Sequence, residues 1–293
     1  MGNNSFDITI HKDTIFFLKY NFFSYFSENF LRMKILDILS SITEIAPLEW
    51  QEPYDNAGLI VGNPDDEVNK ALVTLDVTDE VLEEAINGGF DIIIAHHPLI
   101  FKGLKRINDD DPVSRLVKKA VMNNIAVAAM HTNLDNSPIG VSACLGTRLG
   151  LSETKILKPI DGSSEAGAGI IGTLPSPLSE KDFLSLIHNV LGTVAVRHSA
   201  PTGKKISKVA LCGGSGAFLI DDAKAAKADA FVTADVKYHD FAAADGRILL
   251  VDAGHFETEQ FIKDFIAVRI SEKNRNFAVS ISNVKTNYIH YFV

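Results

Sequence analysis

Two histidines, His96 and His97, stand side by side in the stretch DIIIAHHPLIF. Further along, His131 precedes Asp135 in HTNLD, Asp235 precedes His239 in DVKYHD, and His255 precedes Glu259 in GHFETE. Imidazole nitrogen and carboxylate oxygen are donors for divalent metal ions. The i, i+4 spacing of His255 and Glu259 puts both on one face of a helix. Taken singly, each has a plain structural explanation, because loop histidines are commonly solvated and Asp135-Asn136 with Pro138 is ordinary turn chemistry. Taken together, three histidines and two carboxylates at three strand ends form a nitrogen–oxygen set without thiolate. Such a set suits iron, zinc, manganese or nickel rather than a structural cysteine site.

The elements that must position these residues follow from the flanking sequence. Asp91 opens an apolar run, Ile92, Ile93 and Ile94 are β-branched, and Pro98 stops it. A short apolar run between breakers predicts a strand buried on both faces. Upstream, residues 33–46 place Ile35, Leu36, Ile38, Leu39, Ile42 and Ile45 at helical spacing, ended by Pro47. A strand (70–77), a helix (78–88) with Thr78 as N-cap and Gly88 at its end, a helix (112–123) and a strand (125–131) complete a β-α-β-α-β series. That order predicts a largely parallel sheet with helices on its faces. The second half repeats the plan: strands at 208–216, 229–235 and 247–255 alternate with the helical stretches AFLIDDAKAAKA and YHDFAAADG. FDIIIAHH and ADAFVTAD resemble each other enough to suggest a twofold internal repeat. In such sheets ligands bind outside the carboxyl ends of the strands, where all the polar sets fall.

The expected fold class is therefore α/β, with two similar α/β halves, largely parallel sheets, and a metal site between them at the strand C-terminal ends. The expected division is an N-terminal extension (1–32), a first half (33–150), a connecting or cap segment (151–205) and a second half (206–293). The cap reads as a loop, a short strand, a helix at 179–191 and a further strand. Gly213-Gly214-Ser215-Gly216 could cradle a phosphate, but a purely structural glycine turn is the preferred reading.

Composition sets the outer bounds. The chain has 293 residues, 46% hydrophobic and 22% charged, with a formal charge of −9. That sign of field disfavours a general nucleic-acid binder. Cys144 and Cys212 are far apart and match no metal or redox pattern, so a reduced, cytoplasmic setting is expected. The stretch TIFFLKYNFFSYFSENFLR lacks a basic lead, is interrupted by Lys19, and is too short and polar to span a bilayer. MGNNSF has Phe6 where an N-myristoylation signal needs Ser or Thr. The segment 1–32 reads as an upstream extension, with an amphipathic segment that docks on the body or on a membrane surface as the alternative. No membrane span is expected.

Four stretches carry a family resemblance: YDNAGLIVG (54–62), DIIIAHHPLIFKGLKRI (91–107), AVAAMHTNLDNSPIGV (126–141), and the series CGGSG, TADVKYHD and DAGHFETE (212–259). In this order they resemble the NIF-three-like family, whose bacterial members are often labelled GTP cyclohydrolase 1 type 2 homologs. The resemblance implies a dinuclear centre of two divalent metal ions, often in a ring-shaped homohexamer. Residue by residue, His96, His97, Asp135, His255 and Glu259 match its metal ligands, and His131 a neighbouring position. Tyr54 stands where many members have Trp, Ala234 stands where Gly is usual, and the large insertion of longer members is absent. Five ligands for two ions, each needing about three, require one to bridge. A neutral imidazole cannot, so a carboxylate must, and the longer Glu259 is favoured over Asp135. The expected grouping is His97 with Asp135 and His96 with His255, Glu259 being shared.

Two such cations would acidify a bound water and stabilise an oxyanion, which suits a metal-dependent hydrolase of a nucleotide or similar small molecule. GTP is the substrate that the resemblance implies. His131 and His239 are the candidate proton carriers, although His239 could equally make only supporting hydrogen bonds, and Asp235 could orient a ligand histidine. The alternatives are a non-catalytic metal-binding platform and a phosphoesterase acting on nucleic acid, the latter disfavoured by the acidic charge.

Overall fold

The computed structural model describes residues 32–160, 163 and 165–292. The expectations for the N-terminal extension thus lie, but for Arg32, outside the described residues. Strand β1 (Met33–Lys34) leads into helix α1 (Ile35–Thr43), whose Ile35, Ile38, Leu39 and Ile42 are all buried, as the spacing required. Strand β2 (Gly58–Val61) follows, and then β3 (Glu67–Val68), which pairs with β1. Next come β4 (Lys70–Thr74), α2 (Asp79–Gly88), β5 (Ile92–Ala95), α3 (Pro112–Met122) and β6 (Ala126–Ala129). Thr78 caps α2 by accepting a hydrogen bond from the Val81 amide, and Gly89, at φ +63, ends it in the left-handed conformation that glycine tolerates. Asp111 caps α3 in the same way through the Ser114 amide.

Beyond β6 lie α4 (Thr132–Asp135) and α5 (Val141–Arg148), then the long strands β7 (Ser152–Pro159) and β8 (Gly167–Leu178). Helix α6 (Glu180–Leu191), β9 (Arg197–His198), β10 (Ile206–Ser215), α7 (Ile220–Ala225), β11 (Ala230–Ala234) and β12 (Leu249–Asp252) follow. The chain closes with α8 (His255–Glu259), α9 (Ile262–Lys273) and β13 (Ala278–Ile281).

Two sheets organise the molecule, each with a parallel centre. The first has the order β13-β4-β5-β6-β2, parallel except for β2. The second has the order β7-β8-β10-β11-β12-β9, in which only β10, β11 and β12 are parallel. The parallel centres are the two similar α/β halves.

The boundaries differ from the sequence expectation in two places. Residues 151–205 do not form a separate cap layer: β7, β8 and β9 are strands of the second sheet, paired antiparallel at its two flanks. Residues 206–293 do not stay in the second half: α9 packs Ile262, Ile266 and Ile270 into the core of the first, and β13 pairs with β4. Helix α5 ties the halves together, with Val141 in the first core and Leu145 and Leu149 in the second.

The registers decide where the chemistry falls. Thr74, Ala95 and Ala129 lie level at the carboxyl edge of the first sheet. Thr233 and Asp252 lie level at that of the second. The residues just beyond these positions are the histidines and carboxylates singled out above.

Candidate metal centre

His96 and His97 follow β5 directly, His131 and Asp135 come from the turn and α4 after β6, and His255 and Glu259 occupy successive turns of α8. The structure brings His96, His97, Asp135, His255 and Glu259 into one cluster. Glu259 lies at its centre, with a side chain only 3% exposed. Its Oε2 is 3.0 Å from His97 Nε2 and 3.0 Å from His255 Nε2. Its Oε1 turns the other way, 3.8 Å from His96 Nε2, which in turn lies 3.5 Å from Asp135 Oδ1. Two donor groups therefore share one carboxylate: His96 with Asp135, and His97 with His255. Glu259 is common to both groups, whereas the expected grouping set His97 with Asp135 and His96 with His255. His97 and His255 meet Nε2 to Nε2 at 3.3 Å, whereas His96 is fully buried beside Asp135.

The tautomers follow from the other ring nitrogens. His96 Nδ1–H donates to the Met130 carbonyl at 2.7 Å, and His97 Nδ1–H donates to Asp76 Oδ1 at 2.8 Å. His255 Nδ1–H donates to Asp235 Oδ2 at 2.7 Å, and His131 Nδ1–H donates to Asp55 Oδ1 at 2.6 Å. With Nδ1 of His96, His97 and His255 committed, Nε2 is the nitrogen that each turns towards Glu259. Outer acceptors of this kind fix ligand histidines in metal proteins.

The donor set fits a metal on one observation above all. His96 Nε2 and Asp135 Oδ1 are buried and neither has a hydrogen-bond partner. Two acceptors that face each other at 3.5 Å away from water repel unless something positive stands between them.

Electrostatics agree. Burial would push the His97 imidazole down, but Asp76 and Glu259 hold it up at about 10. His255, likewise opposed by burial, is held up at about 11 by Asp235 and Glu259. Burial lowers His96 and, with the neighbouring Glu259, raises the Asp135 carboxyl well above its usual range. Glu259 is held well below its usual range, against burial, by its histidine neighbours, His255 first.

Asp76 and Asp55 were not among the candidates from sequence. Asp76 follows β4 much as Asp235 follows β11, and that position beside a histidine-bearing strand was the signal available. Asp55 spans two elements. Its Oδ1 holds His131 and its own neighbour Asn56, while Oδ2 accepts from the Thr132 amide at 3.0 Å and from the Thr132 hydroxyl. Asp235 has the orienting role allowed for it. His239 does not join the cluster: the chain turns away at Asp235 (φ +54), and His239 is exposed with its ring edge-on to Tyr238 at 5.1 Å. A ring nitrogen of His131, by contrast, lies within 4.8 Å of ring nitrogens of His96 and His97.

The glycine turn proves structural in purpose. At Gly214, where φ is +60, a Cβ would stand 2.1 Å from Glu259 Oε1 and 3.3 Å from His255 Cε1. The bare backbone there is what lets the Glu259 carboxylate reach the middle of the cluster.

Comparison with known proteins gives one consistent result. Residues 33–288 match the Duf34/NIF3 (NGG1p interacting factor 3) family. A Clostridium perfringens protein called "GTP cyclohydrolase 1 type 2 homolog" is 34% identical over 82% of this chain and 91% of its own length. A Lactococcus lactis protein of the same name is 34% identical over 87% of this chain and 98% of its own length. Among solved structures, a Staphylococcus aureus hypothetical protein has a TM-score of 0.81 at 29% identity, covering 89% of this chain and 99% of its own. A Bacillus cereus protein related to NIF3 shares the fold with a TM-score of 0.83 at 24% identity, covering 90% of this chain and 100% of its own.

Proposed function

The chain belongs to the Duf34/NIF3 family, and from that premise we propose that its cluster is a dinuclear metal centre that hydrolyses a nucleotide or related small molecule. In this reading His96 and Asp135 would hold one divalent cation and His97 and His255 the other, with Glu259, common to both groups, serving each. The observation that carries it is the pair of orphaned, buried acceptors on His96 and Asp135, next to a second group of converging Nε2 atoms.

When bound, the cations supply Lewis acidity for activating water and stabilising an oxyanion. The chain's own groups do the rest. Asp76, Asp235 and the Met130 carbonyl hold three imidazoles by Nδ1 and so keep Nε2 inward. His131 is the proton carrier in this proposal. Asp55, held well below the usual carboxylate range, against burial, by His131 and Thr132, fixes the His131 ring by Nδ1 and leaves its other nitrogen to take up and release the proton. His239 has no part in it.

The relatives' printed names point to GTP as the first substrate to try. Metal-loaded wild-type protein should turn over GTP, and the His255→Ala and Asp135→Asn variants should lose at least about 100-fold in rate, as removal of a catalytic electrostatic group does. Full metal occupancy without turnover of any nucleotide would favour the non-catalytic platform instead. The proposal includes a cytoplasmic setting, which the free, buried or half-buried Cys144 and Cys212 support. It also includes a homohexamer, and light scattering that gives a single-chain mass at micromolar concentration would count against that part. No helix among the described residues is long and apolar enough to cross a membrane.

A further inference from the structure

The connection from β5 to α3, residues 96–111, contains no helix or strand. Its counterparts are short: residues 75–78 join β4 to α2, and residues 253–254 join β12 to α8. A βα connection usually takes about 2–6 residues, and longer ones are commonly functional. This one is not loose. Leu99 is buried, and Ile100 and Leu104 pack against the same core. Phe101, between them, is 44% exposed.

Phe101 has aromatic company. Its ring lies edge-on to His131, with centroids 6.0 Å apart, and Tyr54, 64% exposed, lies edge-on to Phe101 at 6.2 Å. His131 in turn stands 5.4 Å, centroid to centroid, from both His96 and His97. The result is a row of rings that leads out of the metal cluster to the surface. Asn56 pins the two loops together by donating to the Ile100 carbonyl at 2.6 Å. Tyr54, Asp55 and Asn56 thus form the edge of the row, hold His131, and fix the Phe101 loop, in that order.

The same loop is charged in a divided way. Asp109 pairs with Lys118, Asp110 accepts from Asn108, and Asp111 caps α3. Lys102, Lys105 and Arg106 are exposed and make no ion pair among the described residues. Phe101, in edge-on contact with Tyr54, thus shares its loop with three exposed cations, and exposed rings with cations are the combination that stacks a base and meets its phosphates.

We propose that Tyr54 and Phe101 form a shelf for the heteroaromatic base of a mononucleotide, and that Lys102, Lys105 and Arg106 meet its phosphate groups. The inference rests on the nucleotide reading of the centre and adds the residues that select the substrate class. The overall charge of −9 favours a mononucleotide over a nucleic-acid strand.

Equilibrium binding to the metal-loaded protein tests it, with GTP, guanosine and inorganic tripolyphosphate as probes and metal content measured on every variant. Phe101→Leu keeps an apolar side chain but removes the ring. It should weaken GTP and guanosine about tenfold or more, as loss of a stacking partner does, and leave tripolyphosphate unchanged. Lys105→Glu with Arg106→Glu should weaken GTP and tripolyphosphate and spare guanosine. Tyr54→Trp should retain or tighten GTP. Metal content should stay at the wild-type level throughout. Phe101→Leu protein that binds GTP as wild type does would overturn the shelf and leave the nucleotide reading standing. Wild-type protein that carries its metal and binds no nucleotide would overturn both. Binding of a short single-stranded oligonucleotide much tighter than GTP would replace the mononucleotide by a strand and overturn the proposal in that way.

Discussion

Glu259→Gln should strip both metal positions, not one. The two carboxylate oxygens face different donor groups, Oε2 towards His97 and His255 and Oε1 towards His96 and Asp135. An amide offers one oxygen and turns an NH2 donor to the other side, so one position gains a group that cannot ligate, and both lose the shared negative charge. Replacing even an outer partner of a metal ligand costs about 10–100-fold in affinity, and a bridging ligand should cost more. Elemental analysis after gel filtration should find two ions per wild-type chain and none in Glu259→Gln. His255→Ala should lose the ion shared with His97 and keep the other, and Asp135→Asn should do the reverse. Glu259→Gln protein that still carries two ions per chain would remove the bridge. Loss of the same single ion in His255→Ala and Asp135→Asn would refute the pairing.

Loading the metal-free protein at neutral pH should release protons. His97 and His255, held at about 10 and about 11 by their carboxylate partners against burial, carry two protons each when no metal is bound. The Asp135 carboxyl, raised by burial and by Glu259, is shifted in the same sense. A metal takes only the deprotonated ligand, so about two protons must leave per chain. Apparent affinity should therefore rise with pH, about tenfold per unit for each proton displaced. The metal-free fold should respond in the opposite sense. Histidines raised above their unfolded value of about 6.5 contribute stability that is fully present below that pH, and it fades as pH rises towards 10 and 11. Calorimetric titration in two buffers of different ionisation heat counts the protons, and heats independent of buffer would refute the protonated resting state.

Local signals were enough for the parallel centres of the two sheets and for most of the cluster. Three isoleucines before His96, the capping Thr78 and the i, i+4 pair on α8 are each readable within a few residues. What the sequence did not settle was which ends meet. His96 and His97 are neighbours in the chain, yet successive residues leave a strand on opposite sides, so His96 faces Asp135 while His97 faces His255. Choosing the partner of each required the relative placement of α4 and α8, which no local pattern contains. The same holds for β7 and β8, read as part of a cap: the glycines and prolines within Gly167–Leu178 obscure the alternation of β8, and β7 finds its place only by pairing with it. It holds for β13 too, whose pairing with β4 joins segments that are distant in the chain. Asp76 hid in plain view as the tail of a strand, since its role depends on the strand beside it.

The late arrival of β13 has a consequence for synthesis. Strand β4 is made early, but the strand that covers its outer edge is Ala278–Ile281, near the end of the chain. About 200 residues separate the two, and at roughly 5–20 residues per second the ribosome needs some 10–40 s to produce them. During that interval the nascent first sheet presents an open edge, the kind of surface on which chains aggregate. Thr286, which donates to the second oxygen of Asp76 at 2.9 Å, emerges later still. The support behind His97 is thus completed only once Thr286 has been made, later than all five clustered side chains, of which Glu259 is the last.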